Sequence, residues 1–215
     1  MREPVGAAAY VPERGGPRST AICDRLAEAE PPERIIMPTY YHLDRGHRLQ
    51  EGAVIERSRN TSPKWFDDGL SLHGESYLRG TFQTKIINDK GKERFAVDQC
   101  TSLELLWELV RLNKFQGAPS RLQSFFAFES LDDARQFQAL KQCGTIWEVE
   151  TADPGFRADM SLLQTLPETG DVLQLADIYW AQFEGYDRSG MPTEWGPPVW
   201  EVLLSAPVRV VRAVG

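Results

Sequence analysis

The chain has 215 residues, of which 41% are hydrophobic, an ordinary proportion for a globular protein with a packed core. Its formal net charge of −7 disfavours a large surface for sequence-independent binding of nucleic acid. No apolar run approaches the roughly 20 residues that a membrane-spanning helix needs, and no Sec-type signal peptide is evident. The three cysteines are too few and too scattered for a disulfide scaffold, so we expect a reducing compartment.

Residues 1–36 are rich in Pro, Gly, Ala, Arg and Glu, with the doublets GG at 15–16 and PP at 31–32. This composition is typical of a segment that cannot bury much apolar surface. We therefore expect a flexible N-terminal arm over 1–36 and a single domain over 37–215.

The first half of the domain begins with TYYHL at 39–43, a compact aromatic run that predicts a strand carrying His42. Residues 60–80 have weak periodicity and many turn residues, which indicates an irregular stretch. Residues 82–87 and 94–97 flank a turn that contains glycine and predict a β-hairpin. A helix is predicted over 103–115. Its expected buried face consists of Leu105, Leu106, Leu109, Val110 and Leu112.

The clearest local signals lie between residues 120 and 150. The run 122–128 predicts a buried strand, and Ser130 with Asp133 three positions later predicts a helix start. Gly144 is expected to end that helix, and 145–150 predicts a further strand. The expected apolar face of the helix consists of Leu131, Ala134, Phe137 and Leu140.

The C-terminal third predicts a helix over 171–181 and two strands, 199–204 and 208–214, separated by Ala206 and Pro207. Short strands interspersed with helices indicate an α+β domain.

Few residues suggest chemistry when considered one at a time. The three histidines lack the spacing of zinc ligands relative to the cysteines, so we expect no metal site. Cys100 precedes the predicted helix, where the helix dipole favours a thiolate, so a cysteine hydrolase is one hypothesis. Every histidine lies upstream of Cys100, unlike the order in papain-like enzymes. Locally, His42 fits a core histidine satisfied by the backbone better than a ligand-binding residue, and Glu201 fits an exposed strand residue better than a cleft residue.

Considered in order, however, six motifs resemble the bacterial ADP-ribosyltransferase-like superfamily, and in particular its small toxin-type or effector-type domains. The motifs are TYYHL, RLQSFFAFESLDDARQF, TIWEVE, ADMSLL, IYWA and PPVWEVLLSAPVRVV, spread over residues 40–214. The resemblance implies a split, strongly bent β-sheet with flanking helices that holds NAD, as the substrate, in a cleft.

By this resemblance, His42 corresponds to the histidine of the first strand, which orients NAD, and Glu201 to the catalytic acidic residue of a late strand. The middle position falls on Phe126 or Phe128, where many relatives have tyrosine, with Ser124 as the alternative. Arg45, Arg48 or Arg121 would neutralise the pyrophosphate, and Arg121 is favoured because it borders the predicted site strand. The implied NAD-binding set is Tyr41, His42, Arg121, Ser124, Phe126 and Phe128.

Two departures from the family pattern shape the expected function. A phenylalanine at the tyrosine position can stack on nicotinamide but has no hydroxyl group. Val199 stands two residues before Glu201, where arginine-modifying relatives have a second glutamate, so arginine is a disfavoured acceptor.

The implied activity is transfer of ADP-ribose from NAD to a macromolecule, protein rather than nucleic acid, or simple NAD hydrolysis. Such a protein would act in the cytoplasm, or as a toxin or effector delivered into a host or rival cell by a specialised secretion system. The alternative is a non-catalytic domain of the same fold that binds a ligand or a protein.

Overall fold

The computed structural model describes residues 37–59, 66, 68–78, 83–87, 90–91, 93–97, 99–164 and 172–214. The N-terminal arm predicted over 1–36 lies outside the described residues.

The described elements form an α+β domain. Its strands are β1 (Thr39–Asp44), β2 (Val54–Ile55), β3 (Gln83–Ile87), β4 (Glu93–Val97), β5 (Phe125–Ala127), β6 (Thr145–Glu150), β7 (Phe156–Asp159), β8 (Trp200–Leu204) and β9 (Val208–Ala213). Its α-helices are α1 (Leu72–Leu78), α2 (Gln99–Lys114), α3 (Leu131–Lys141) and α4 (Val172–Trp180). Single turns of 3-10 helix cover Arg121–Gln123, Met160–Leu162 and Thr193–Trp195. The α+β prediction is confirmed.

The strands form two larger antiparallel sheets and a hairpin. One sheet has the order β1-β6-β9-β2, the other has the order β5-β8-β7, and β3 pairs with β4 as predicted. The two larger sheets meet where β1 passes the end of β5. There Tyr41 N donates to Phe128 O at 2.9 Å, and Phe128 N donates to Tyr41 O at 2.8 Å. This bridge brings the first strand of the domain beside the strand that precedes α3.

Two apolar clusters hold the layers together. The first packs α2 and α4 against the second sheet, and in it Trp180 Nε1 donates to Trp107 O at 2.9 Å. The second fills the space between strands of both sheets with Val149, Val202 and Val210. On β8, Leu203 belongs to the first cluster and Val202 to the second, because neighbouring side chains of a strand lie on opposite faces of the sheet.

Helix α2 buries a different face from the one predicted. Trp107 and Val110 are buried as core residues, and Glu104 and Glu108 are buried beside them. Both glutamates are paired with arginines, which offsets the cost of removing their charges from water. The predicted face was wrong at Leu105, Leu109 and Leu112, which are all exposed.

The start of α3 is confirmed, and its end differs from the prediction. Ser130 Oγ accepts a hydrogen bond from Asp133 N at 3.1 Å, as a cap should. The helix ends at Gln142 in the left-handed conformation (φ 54°), before Gly144. Leu140 is 67% exposed. Each step of three residues falls about 60° short of a full turn of the helix. Leu140 is three such steps from Leu131, so the two side chains lie on opposite sides of the helix.

The predicted strand over 122–128 is shorter in the structure. The first part of the predicted strand forms the 3-10 turn Arg121–Gln123 instead, because Ser120 caps that turn by accepting from Leu122 N. Only Phe125–Ala127 pair as a strand.

Helix α2, with 16 residues, is the longest described helix, and no helix in the described part of the chain is long and apolar enough to cross a membrane.

Candidate functional site

A cavity of about 400 Å³ lies among β1, the loop that follows it, α1, β5 and β8; we call it the His42–Glu201 cavity. The residues that line it and that the sequence singled out are His42, Arg45, Arg48, Arg121, Ser124, Phe126, Phe128 and Glu201. Tyr41 is not among the lining residues. Its side chain packs instead against the cluster that contains Ile146.

His42 is held as a neutral imidazole. Its Nδ1 donates to the carbonyl oxygen of Phe126 at 2.6 Å, and a carbonyl can only accept, so Nδ1 carries the proton. Burial lowers the pKa of His42 below its usual value of 6.5. The ring also lies 4.2 Å from the ring of Phe125, centroid to centroid. Nε2 therefore has its lone pair available as an acceptor.

Glu201 is buried on β8, with 4% of its surface exposed. Its Oε1 accepts from Tyr179 Oη at 2.8 Å and from Arg121 Nη1. The expectation that Glu201 is an exposed strand residue, based on local sequence alone, is therefore wrong. The carboxylate is instead fixed in the wall of the His42–Glu201 cavity.

Arg121 joins Glu201 to a second buried carboxylate on α2. Its Nε and Nη2 donate to the two oxygens of Glu104 at 2.9 and 3.0 Å, and its Nη1 also donates to Tyr179 Oη. We call Glu104, Arg121, Tyr179 and Glu201 the buried charge cluster.

The buried charge cluster favours the ionised forms of Glu104 and Arg121. Burial would raise the pKa of Glu104, but Arg121 and His73 outweigh it and lower that pKa to about 2. Burial would lower the pKa of Arg121, but Glu104 and Glu201 raise it well above its usual value. Burial, with Glu201, raises the pKa of Tyr179 and keeps it neutral.

His73 on α1 is a cavity residue that sequence reasoning missed. Its Nε2 lies 3.1 Å from Glu104 Oε1, and its ring lies 4.6 Å from the ring of Phe126. Helix α1 approaches the 3-10 turn closely because Gly74 has no side chain: an added Cβ would lie 2.0 Å from Leu122 O. Sequence reasoning missed His73 because α1 is short and weakly periodic, and because a glycine by itself does not indicate a close contact.

Basic side chains at the cavity come from the loop after β1 and from beyond β2. Arg45, Arg48 and Arg57 all line the cavity, and the first two are exposed. Asp44 shapes the loop by accepting from the backbone N–H groups of Arg48 at 2.6 Å and Leu49 at 2.8 Å. The loop therefore presents its arginines from a fixed backbone.

Two other sequence candidates have different surroundings. Ser124 is buried, and its Oγ donates to Ser120 O at 2.7 Å, so its hydroxyl serves the local backbone. Cys100 is exposed in the first turn of α2 and is not among the residues that line the His42–Glu201 cavity.

Comparison with known proteins identifies a family for the chain. The model of the family described as Protein of unknown function (DUF2441) matches residues 40–212. The chain belongs to this family, since the match covers most of its length. A search of curated proteins finds no match.

Proposed function

We propose that this member of the DUF2441 family transfers ADP-ribose from NAD to a macromolecular acceptor, as the ADP-ribosyltransferase-like proteins that its motifs resemble do. One observation carries the proposal. His42 on β1 and Glu201 on β8 are far apart in the chain, yet both line one cavity, which Phe126 also lines. Two antiparallel sheets that meet at β1 and β5 also support the split sheet that the resemblance implies.

Glu201 would act on the bond between nicotinamide and ribose. When this bond breaks, its electron pair leaves with the nicotinamide nitrogen, nicotinamide departs neutral, and the ribose carbon becomes positive. A nucleophile of the acceptor then bonds to that carbon and loses its proton. A fixed carboxylate stabilises the positive charge as it develops. The burial of Glu201 and its fixed position beside Arg121 and Tyr179 support this role.

His42 would orient the substrate as a hydrogen-bond acceptor. Its Nδ1–H is committed to Phe126 O, so Nε2 would accept from a hydroxyl group of a ribose. The lowered pKa keeps this acceptor available at neutral pH.

The aromatic rings of β5 would hold the departing group. Phe125 and Phe126 both line the cavity, and either ring offers an apolar face on which nicotinamide can stack. Neither ring has a hydroxyl group, so the two phenylalanines would hold nicotinamide by packing alone.

Arg45, Arg48 and Arg57 are the arginines best suited to the pyrophosphate. Exposed or half-buried guanidinium groups can rearrange around a phosphate and form paired hydrogen bonds with it. We expect the acceptor to be a protein side chain other than arginine, and the role to be that of a toxin or effector.

Labelled NAD incubated with the protein and a cell lysate tests the proposal. We expect label to appear on macromolecules with the wild-type protein and to fall at least about 100-fold with Glu201→Gln, since it removes the charge that stabilises the transition state. Glu108→Gln, at a buried paired carboxylate that does not line the cavity, is the matched control and should label normally. Equal labelling by the Glu201→Gln variant would overturn the catalytic role.

A second candidate function is a binding domain without turnover. The observation that favours it is that Glu201 already bonds to Arg121 and Tyr179, as a structural ion pair would. Calorimetry separates the two candidates: NAD that binds without release of nicotinamide, in wild-type protein supplied with acceptor, identifies the binding domain.

A further inference from the structure

We propose that Arg121 acts on a ligand of the His42–Glu201 cavity only through Glu201: Glu104 anchors the guanidinium group, and the guanidinium group fixes the carboxylate. Arg121 is then a positioning residue and not a phosphate ligand. Its effect on catalysis rests on the proposed function, whereas its effect on Glu201 does not.

The hydrogen bonds of Arg121 are mostly used within the protein. A guanidinium group has five N–H bonds. Two point to Glu104, from Nε and Nη2, and Nη1 donates to Tyr179 and Glu201. The ring centroids of Phe126 and Tyr179 lie 4.8 and 5.4 Å from its central carbon. Little of the side chain is left to bind a phosphate.

The bidentate pair with Glu104 sets the direction of Nη1. Two parallel hydrogen bonds fix a planar guanidinium group in one orientation, which a single bond would not do. From this position Nη1 meets Oε1 of Glu201, and Tyr179 Oη donates to the same oxygen. Two donors on one oxygen fix the rotation of the carboxylate, and therefore the position of its other oxygen, Oε2.

A second glutamate–arginine pair on α2 provides the contrast. Arg111 donates from Nε and Nη2 to Glu108 at 3.1 and 2.7 Å, with the same bidentate geometry. The third bond of Arg111 goes to Ala118 O at 3.0 Å, and neither residue lines the cavity. Glu104→Gln and Glu108→Gln therefore remove the same kind of buried pair, but only the arginine that pairs with Glu104 contacts Glu201.

Steady-state kinetics of nicotinamide release distinguish positioning from phosphate binding. We expect Glu104→Gln to lower kcat about 100-fold, the cost of misplacing a reacting group by about 1 Å, with KM for NAD nearly unchanged. Glu108→Gln should keep both constants. A raised KM with unchanged kcat in Glu104→Gln would overturn the inference, because loosening a phosphate ligand weakens binding first. Glu104→Asp, which keeps the charge but shortens the reach, replaces Glu104→Gln if that variant does not fold.

An NMR measurement tests the inference even without activity. If the wild-type protein releases no nicotinamide, the proposed function fails, and the carboxyl ¹³C signal of Glu201 still reports its positioning. We expect that signal to change in Glu104→Gln and to stay the same in Glu108→Gln. An unchanged Glu201 signal in a folded Glu104→Gln variant would refute the positioning role.

Discussion

At the scale of single residues, His42 and Arg121 show how partners decide what a side chain can do. His42 lies in an aromatic strand, and its backbone partner, Phe126 O, is the one that a core histidine would have. The bond leaves Nε2 for a ligand, so the core role and the ligand role are compatible. For Arg121 the two roles are not compatible. Its ion pairs with Glu104 and Glu201 already use the positive charge that a phosphate would need.

The pH dependence of NAD binding tests the role of His42. The neutral acceptor persists below pH 6.5, the usual pKa of histidine, because burial lowers its pKa. We expect the Kd for NAD to be constant from neutral pH down to this value and to rise only below it. His42→Asn, whose amide nitrogen is bonded to Cγ as Nδ1 is and can still donate to Phe126 O, should remove that rise. A rise centred above pH 6.5 in the wild-type protein would contradict this assignment.

At the scale of elements, the sequence predicted those whose signals are local. The cap at Ser130, the alternation in β6 and the hairpin of β3 and β4 each depend on a few neighbouring residues, and all are present. The orientation of α2 could not be predicted in this way. Its leucines mark one face, but a distant arginine, Arg121, pairs with Glu104 and helps to turn the other face inward.

Helix α1 depends on Gly74 for its contact with the 3-10 turn, and Gly74→Ala tests this contact. In an isolated helix, the change would stabilise by about 1 kcal/mol. We expect it instead to lower the free energy of unfolding by roughly 1–3 kcal/mol, because the new Cβ would lie 2.0 Å from Leu122 O. Urea denaturation measures the change. Gly117→Ala, where an added Cβ meets no atom within 4 Å, is the matched control. A stabilised Gly74→Ala variant would show that the close approach is wrong.

At the scale of the whole molecule, the cavity depends on contacts between distant parts of the chain. The motif order indicated that His42, Phe126 and Glu201 belong together, and all three line one cavity. His73 and Glu104 could not be assigned to it, since no motif contains them and only the packing of α1 and α2 brings them near Arg121. Burial of charge is therefore the feature of this site that sequence patterns reveal least.

The buried charge cluster should make global stability sensitive to acid. The pKa of Glu104 is about 2 in the folded protein against an ordinary value of 4.5, so its stabilising effect is complete above pH 4.5 and is lost as the pH falls towards 2. The shift corresponds to about 3 kcal/mol. Wild-type protein should exceed Glu104→Gln in unfolding free energy at pH 7, and the difference should shrink by about this amount near pH 2. A difference that does not change with pH would count against the buried ion pair.

The rate of nicotinamide release from NAD shows whether Glu201 is catalytic. It is measured for the wild-type protein, Glu201→Gln and Glu108→Gln with a lysate as acceptor source. We expect release by the wild-type protein and by Glu108→Gln, and a loss of at least about 100-fold in Glu201→Gln, because this variant lacks the carboxylate that stabilises the developing positive charge. Thermal unfolding of all three proteins shows whether each is folded. No release by folded wild-type protein, or equal release by the Glu201→Gln variant, would contradict the claim that this cavity cleaves NAD with Glu201.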